Sequence, residues 1–257
     1  MKKESNDKFT LNDKVAIITG TTRGIGKSLA EGLADAGATI IAIDRSDNNH
    51  LLEYCKKLNV TFKRIKVDLL KTSKEDLQKI VEGIVKDFSH IDILVNSAGI
   101  TRRGRVEDFS EEDWLDVLKL NLTIPFYLSQ IVSKYFIKQK SGKIINIASM
   151  LSFQGGIKVP SYTSSKHGVV GLTKSFAVGL GKYGINVNAI APGFIDTDMT
   201  KPLQLDKKRN KSIVDRISLG RWGRPEDLKG ALIFLASPMS NYVNGAIIPV
   251  DGGWLIG

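Results

Sequence analysis

The chain has 257 residues, of which 42% are hydrophobic and 25% charged, with 24 glycines and 7 prolines. This balance is typical of a globular protein and excludes a disordered or fibrous chain. The net charge is +10, and the one cysteine, Cys55, excludes an internal disulfide and a cysteine-rich metal centre.

Signals for a membrane or for secretion are not found in the sequence. No segment reaches the ~18 consecutive apolar residues of a membrane helix. The first residues, MKKESNDKFTLNDK, are basic but are followed by no apolar run. We therefore expect a cytoplasmic protein that binds no membrane, with residues 1–10 as a flexible extension. The basic residues are scattered among acidic ones, which favours attraction of small anions over nucleic-acid binding.

Short apolar runs recur along the chain and alternate with segments of helical spacing. This alternation predicts parallel strands joined by right-handed crossovers. Runs such as VAIIT are apolar at every position, as expected for strands covered on both faces. We expect one α/β domain over 1–257 with a doubly wound parallel sheet, and an irregular, mobile segment at about 198–221. The predicted strands are Val15–Thr19, Thr39–Ile43, Phe62–Val67, Ile91–Val95, Lys143–Ala148, Asn186–Ile190 and Ala246–Val250.

A glycine-rich turn, Thr19–Gly26 (TGTTRGIG), joins the first predicted strand to a helical segment. In open parallel sheets, ligands bind at the carboxyl ends of the strands. Glycine lets the backbone approach a diphosphate, and a helix N-terminus offers free N–H groups. A helix start that is merely rich in glycine is the alternative. Three glycines at this spacing favour phosphate binding.

The second predicted strand is followed by Asp44, 18 residues after Gly26. A carboxylate at this position accepts hydrogen bonds from the adenosine ribose and repels a 2′-phosphate, which favours NAD over NADP. Arg23 and Arg45 favour the opposite choice, because a guanidinium can pair with that phosphate. The alternative for Asp44 is a helix N-cap with no ligand role.

Ser149 follows the fifth predicted strand, and Tyr162 and Lys166 come 13 and 17 residues later. Residues four apart share one helix face, so the ammonium group lies near the phenol. By itself such a pair is typical of an amphipathic helix surface. Lowering the phenol pKa from ~10 towards ~7 by nearby positive charge would make Tyr162 a general acid/base. We expect it to exchange a proton with a substrate alcohol whose oxygen is also bonded by Ser149.

From about Leu11 to Trp254, these motifs and their order resemble the short-chain dehydrogenase/reductase family. The resemblance implies a Rossmann-type fold, a nicotinamide cofactor and a homotetramer. It assigns catalysis to Asn121, Ser149, Tyr162 and Lys166. One departure is Ser97, where the family has the second Asn of Asn-Asn-Ala-Gly. Cofactor contacts are implied for Gly20, Thr22, Arg23, Gly24, Ile25, Gly26, Asp44, Asp68, Asn96, Ala98, Gly99, Tyr162, Lys166, Pro192, Gly193, Ile195 and Thr197.

Within this family, segments such as AGITRR and SLGRWG are similar to members that act on sugar acids. Arg102 and Arg103 follow the fourth strand and are suited to clamp a carboxylate, although two solvated arginines are the alternative. Gln154 is a candidate for bonding sugar hydroxyls. Trp222 provides an apolar wall for a sugar or an interface, or packs in the core.

The expected function is NAD-dependent interconversion of a secondary alcohol and a ketone on a hexonate-type sugar acid. Arg23 and the segment PGFIDTDMT keep open an NADPH-dependent 3-oxoacyl-[acyl-carrier-protein] reductase. A non-catalytic dinucleotide-sensing protein is disfavoured, because it needs no set of four catalytic residues. The three histidines are isolated in the sequence, so we expect no metal site.

Overall fold

Apolar runs of the sequence form one seven-stranded sheet in the computed structural model, which describes residues 7–257. The strands are β1 (Val15–Thr19), β2 (Thr39–Asp44), β3 (Phe62–Lys66), β4 (Ile93–Asn96), β5 (Gly142–Ile147), β6 (Ile185–Pro192) and β7 (Ile247–Val250). All neighbouring strands are parallel, in the order β3-β2-β1-β4-β5-β6-β7. The predicted doubly wound sheet is confirmed, and each predicted strand lies within two residues of the observed bounds.

Helices cover both faces of the sheet, because a parallel strand is reached only by a crossover. They are α1 (Gly24–Asp35), α2 (Asn49–Lys57), α3 (Lys74–Phe88), α4 (Glu111–Leu118), α5 (Ile124–Gln139), α6 (Pro160–Leu180), α7 (Lys201–Leu205), α8 (Lys207–Val214) and α9 (Lys229–Ala236). A π-helical turn over Lys119–Thr123 joins α4 to α5.

The core lies in two layers, one on each face of the sheet. Ala16 and Ile18 of β1 pack in the layer that contains α1 and α9. Val15 and Ile17 point to the opposite layer, with α3 and α5. Because the central strands are buried on both faces, ligands have access at the strand ends. The strand order reverses between β1 and β4, which makes their carboxyl ends the place to look for a site.

The segment 198–221 contains the short helices α7 and α8, so the prediction of an irregular segment was wrong. Half of the α8 residues (KKRNKSIV) are charged, and Ile213 is the one fully buried residue of this helix. Asp206 sets the start of α8 by accepting a hydrogen bond from the N–H of Arg209 (3.0 Å). The apolar spacing that identifies a helix is therefore too sparse here to be recognised in the sequence.

The extension predicted over residues 1–10 lies largely outside the described residues. Asp7–Phe9 form a 3-10 turn, and Leu11 is already buried in the core. Within residues 7–257, no helix combines the length and the apolar character needed to cross a membrane.

The glycine that begins β5 offers a test of packing. A Cβ at Gly142 would lie 2.2 Å from ring carbons of Phe136, which is fully buried. We expect Gly142→Ala to destabilise the protein by about 1–3 kcal/mol through overpacking. The midpoint of thermal unfolding should fall by about 2–4 °C per kcal/mol.

The matched control is Gly83→Ala in α3, where no heavy atom lies within 4 Å of the added Cβ. This change should raise stability by roughly 0.5–1 kcal/mol, because alanine restricts the unfolded chain. Equal midpoints for the two variants would contradict the packing around Gly142.

Candidate active site

The turn after β1 meets the loop after β4 where the strand order reverses. Gly20 has a φ of +75°, and a Cβ on it would lie 2.8 Å from the Cα of Ala98. The hydroxyl oxygen of Thr19 accepts hydrogen bonds from the N–H groups of Ser97 (3.1 Å) and Ala98 (2.9 Å). Backbone N–H groups make both bonds, so these bonds do not depend on which side chain stands at position 97.

A cleft of about 520 Å³ lies over these two loops. A Cβ on Gly26 would lie 1.9 Å from the carbonyl oxygen of Gly20, so the turn can close only around glycine. The N-terminus of α1 has no side-chain cap, which leaves its N–H groups for an anion. The cleft thus fits the diphosphate of a dinucleotide. The expected cofactor residues in its wall are Gly20, Thr22, Arg23, Gly24, Ile25, Gly26, Asp44, Asp68, Ala98, Gly99, Tyr162, Lys166 and Thr197.

Asn96 lies beneath this cleft rather than in its wall. Its amide nitrogen donates to the side chains of Asn146 (2.8 Å) and Ser129 (3.2 Å), which ties β4 to β5 and α5. The other expected cofactor residues outside the cleft wall are Pro192, Gly193 and Ile195. Gly193 lines the neighbouring cavity described below. Cofactor contact stays a prediction for these residues.

The carboxylate of Asp44 is buried at the end of β2. The carboxylate accepts two hydrogen bonds from Thr21, one from the backbone N–H (2.6 Å) and one from the side-chain hydroxyl (2.5 Å). The N-cap of α2 is Asn48, whose side chain accepts from the N–H of Leu51 (3.2 Å). The capping alternative for Asp44 is therefore wrong, and the carboxylate joins β2 to the glycine-rich turn at the cleft wall.

The two arginines that favour NADP lie in the same cleft wall. Arg23 makes an exposed ion pair with Asp198 (3.3 Å). Arg45 makes no ion pair within the part of the chain that the structure describes. The cleft therefore contains both acidic and basic groups.

The structure brings Ser149, Tyr162 and Lys166 together at the carboxyl end of β5. The hydroxyl of Ser149 accepts from the N–H of Leu151 (3.1 Å), and Ser149 and Tyr162 line the same cavity. The ammonium of Lys166 is buried and donates to the carbonyl oxygen of Ile147 (2.5 Å). It lies 5.5 Å from the ring centroid of Tyr162. This geometry suits proton exchange at the phenol.

Burial dominates the acid/base behaviour of this pair. It lowers the pKa of Lys166 to about 8. It also raises the pKa of Tyr162, and the hydrogen bond from Ser149 opposes that rise. The lowered tyrosine pKa expected from the sequence is therefore not found in the protein alone. A further positive charge is needed, such as that of an oxidised nicotinamide ring.

Asn121 lies in the π-helical turn, where Pro125 has no N–H to donate to the carbonyl four residues earlier. Its side chain accepts from the N–H of Ile100 and donates to the carbonyl of Ile100 (both 2.9 Å). It also donates to the hydroxyl of Ser165 (3.1 Å). A Cβ on Gly99 would lie 3.2 Å from its amide oxygen and 4.0 Å from the Lys166 ammonium. Asn121 thus joins the loop after β4 to α6.

A second cavity of about 610 Å³ adjoins Ser149 and Tyr162. Its lining contains no Asp or Glu but four basic side chains, those of Arg103, Lys158, Arg209 and Arg216. Apolar walls come from residues such as Leu151, Phe194 and Trp254. The cavity is therefore suited to a small anion that also has carbon surface to bury.

The expected substrate residues divide between this cavity and its surroundings. Arg103 and Gln154 line the cavity. Arg102 is outside the lining and is paired with Asp113 (2.9 Å). Trp222 is outside the lining and packs against Phe194, with 5.3 Å between ring centroids, which agrees with the packing alternative.

Sequence reasoning missed three of the basic side chains in the lining, Lys158, Arg209 and Arg216, and also Trp254. The sequence offers one signal for a basic site in this region, because the segment 198–221 contains seven basic residues and only three acidic ones. Among residues 7–257, no three His, Cys, Asp or Glu side chains are grouped to hold a metal ion.

Comparison with known proteins shows close relatives over the whole length. A family model described as "Enoyl-(Acyl carrier protein) reductase" matches residues 20–255. The 2-dehydro-3-deoxy-D-gluconate 5-dehydrogenase of Escherichia coli K12 is 50% identical over 248 residues, covering 96% of this chain and 97% of the relative.

Solved structures of similar chains share this fold. One is a putative 2-deoxy-D-gluconate 3-dehydrogenase from Agrobacterium tumefaciens with bound NADP, with a TM-score of 0.88 and 44% identity over 97% of this chain and 99% of that one. Another is a gluconate 5-dehydrogenase from Burkholderia cenocepacia J2315 in complex with NADP and tartrate. Its TM-score is 0.94, with 35% identity over 99% of this chain and 100% of that one.

Tyr162→Phe tests the proton-exchange role. The change removes the hydroxyl but keeps the ring, so turnover should fall at least ~100-fold. Affinity for the dinucleotide should stay within about twofold, because the phosphate-binding turn is unchanged. Steady-state rates and a fluorescence titration with NADH measure the two effects separately.

The control is Tyr54→Phe, since the Tyr54 hydroxyl bonds Asp35 (2.6 Å) outside both cavities. It should leave rate and affinity unchanged. Turnover of Tyr162→Phe near the wild-type rate would show that another group exchanges the proton.

Proposed function

The chain belongs to the short-chain dehydrogenase/reductase family, whose members are oxidoreductases, and from this premise we propose a sugar-acid dehydrogenase that prefers NAD. Its reaction interconverts a secondary alcohol and a ketone on a hexonate-type acid. The observation that carries this proposal is the cavity beside Tyr162, with four basic and no acidic side chains in its lining. A carboxylate substrate supplies the negative charge that such a cavity attracts.

The relatives support the same substrate class. The E. coli relative is named for 2-dehydro-3-deoxy-D-gluconate, and the B. cenocepacia structure holds tartrate, a hydroxy acid. We take the C5 hydroxyl of 2-dehydro-3-deoxy-D-gluconate as the first reacting group to test, because that relative matches half of the residues over nearly the whole chain.

Each catalytic side chain has a different role near the substrate oxygen. When bound, the nicotinamide dinucleotide takes or supplies the hydride. Tyr162 takes the proton of the substrate hydroxyl, and Ser149 donates a hydrogen bond to the same oxygen. The ammonium of Lys166 favours the ionised phenol. Asn121 keeps the loop after β4 beside this group.

The cleft offers a partner for each part of the dinucleotide. The N–H groups at the start of α1 suit the diphosphate, and Asp44 suits the ribose hydroxyls. The family resemblance implies that Asp68 contacts the adenine amino group and Thr197 the nicotinamide carboxamide, and both residues line the cleft. The preference for NAD rests on the fixed negative charge of Asp44, while the NADP bound to two structural relatives weighs against it.

The alternative is an NADPH-dependent 3-oxoacyl-[acyl-carrier-protein] reductase. Arg23 in the cleft and the description of the matching family model favour it. An acyl thioester, however, has a neutral reacting group, whereas a sugar acid carries its negative charge within a few carbons of the reacting hydroxyl, where the four basic residues of the lining can contact it. The acid is therefore the better match to this cavity.

We also propose a cytoplasmic homotetramer, as the family resemblance implies. A single buried cysteine fits a reducing compartment. Apolar side chains exposed on α4 and α6, among them Leu115 and Val178, fit burial between copies of the chain.

Cofactor preference is tested with Asp44→Asn, which removes the charge and keeps the shape. The wild type should favour NAD, and the variant should lose ten- to hundredfold of that preference, as expected for one charged hydrogen bond. Values of kcat/KM with NAD and NADP give the ratio. Asp68→Asn is the control and should affect both cofactors equally. A wild-type preference for NADP would reject the role of Asp44.

Substrate class is tested by comparing 2-dehydro-3-deoxy-D-gluconate with its amide, which differs by the charge. The acid should have a kcat/KM about ten- to hundredfold higher, and added salt should reduce that advantage. Arg102→Gln is the control and should change neither rate, because Arg102 is paired with Asp113. Faster reduction of a 3-oxoacyl thioester with NADPH would instead establish the alternative.

A further inference from the structure

We propose that Arg216, held against the indole ring of Trp254, binds the substrate carboxylate and selects acids over neutral sugars. This inference rests on the proposed function, since it names the residue that would recognise the acid. Neither residue was assigned a role from the sequence, and both line the cavity beside Tyr162.

Trp254 provides a fixed surface for the arginine. The ring is buried and packs edge-to-face on Phe194, with 4.6 Å between centroids. The turn that carries it is held by Asp251, whose carboxylate accepts from the N–H groups of Gly253 and Leu255 (both 2.9 Å). The central guanidinium carbon of Arg216 lies 4.2 Å from the Trp254 ring centroid. This cation–π contact orients the guanidinium before any substrate arrives.

Within residues 7–257, no carboxylate forms an ion pair with Arg216. Its neighbour in sequence, Asp215, is engaged by Lys211 (2.7 Å). Contact over the indole face leaves the N–H donors at the edge of the guanidinium available. A planar guanidinium with free edge donors binds a carboxylate through two parallel hydrogen bonds.

The other basic groups of the cavity are less suited to this task. The guanidinium of Arg103 has neither an aromatic surface nor a side-chain partner against it in the described part of the chain, so ordering it on a ligand costs more entropy. Arg209 has no aromatic surface beneath it among residues 7–257. The ammonium of Lys158 is a compact charge and lacks the planar pair of N–H donors that binds both carboxylate oxygens. These three groups attract the anion, and Arg216 is prepared to bind it.

The assignment has a consequence for orientation. Arg216 and Tyr162 line one cavity, so a substrate whose acid end lies at Trp254 presents a more distant carbon to the phenol. The position of the carboxylate thereby determines which hydroxyl of the substrate lies beside Tyr162 and reacts.

The test compares Arg216→Gln and Arg216→Lys with the wild type on 2-dehydro-3-deoxy-D-gluconate and on its amide. Arg216→Gln should lower kcat/KM for the acid ten- to hundredfold, mostly through KM, and leave the amide within twofold. Arg216→Lys should recover part of the loss. The matched control is Arg221→Gln, since Arg221 is paired with Asp227 (2.7 Å) outside the cavity, and it should change neither substrate.

Equal losses on the acid and the amide would overturn the inference, because a structural role affects both. A selective loss in Arg103→Gln and none in Arg216→Gln would overturn it in favour of Arg103.

Calorimetry with the Tyr162→Phe protein and NAD separates this inference from the proposed function, since binding is measured without turnover. If this protein binds neither acid nor amide, the substrate class fails. If it binds the acid equally well with and without Arg216→Gln, only the assignment of Arg216 fails. Weaker binding of the acid alone in Arg216→Gln supports both.

Discussion

The burial of the Lys166 ammonium is the constraint around which the active site is arranged. Burying a charged group costs free energy unless hydrogen bonds replace those it made to water. Here the carbonyl oxygen of Ile147 accepts a hydrogen bond from the Lys166 ammonium (2.5 Å). That bond requires α6 to cross the carboxyl end of β5. Tyr162, one helical turn earlier, is thereby placed beside Ser149, which follows the same strand. Loss of water around the ammonium still lowers the pKa of Lys166 to about 8.

The electrostatic character of the site changes from one side of Tyr162 to the other, and Tyr162 lines both spaces. The lining of the dinucleotide cleft contains three acidic residues, Asp44, Asp68 and Asp198, and three basic ones, Arg23, Arg45 and Lys166. That balance leaves the uncapped N-terminus of α1 as a place for a diphosphate. In the adjoining cavity, all of the charged residues in the lining are basic. We therefore expect the dinucleotide and the substrate to be distinguished by the charge distribution of the two spaces as well as by their shape.

The sheet, and the grouping of Ser149, Tyr162 and Lys166 at one strand end, were predictable because each depends on local pattern. Continuous apolar runs mark strands buried on both faces, and Tyr162 and Lys166 are linked by a helical spacing. Partners distant in sequence carry no such pattern. Arg102 and Arg103 are adjacent in sequence. Only the fold shows that Arg102 forms an ion pair with Asp113, whereas Arg103 lines the cavity.

In the function that we propose, catalysis and specificity therefore come from different parts of the molecule. Ser149, Tyr162 and Lys166 lie at a strand end and in a long helix, which the core holds in place. The basic side chains of the cavity lie in loops and in the short helix α8, whose changes disturb the sheet little. Relatives 44% and 50% identical to this chain are named for oxidation at different carbons of related acids. A fixed proton-exchanging pair facing an adjustable set of cations accounts for such variety without any change in the chemistry itself.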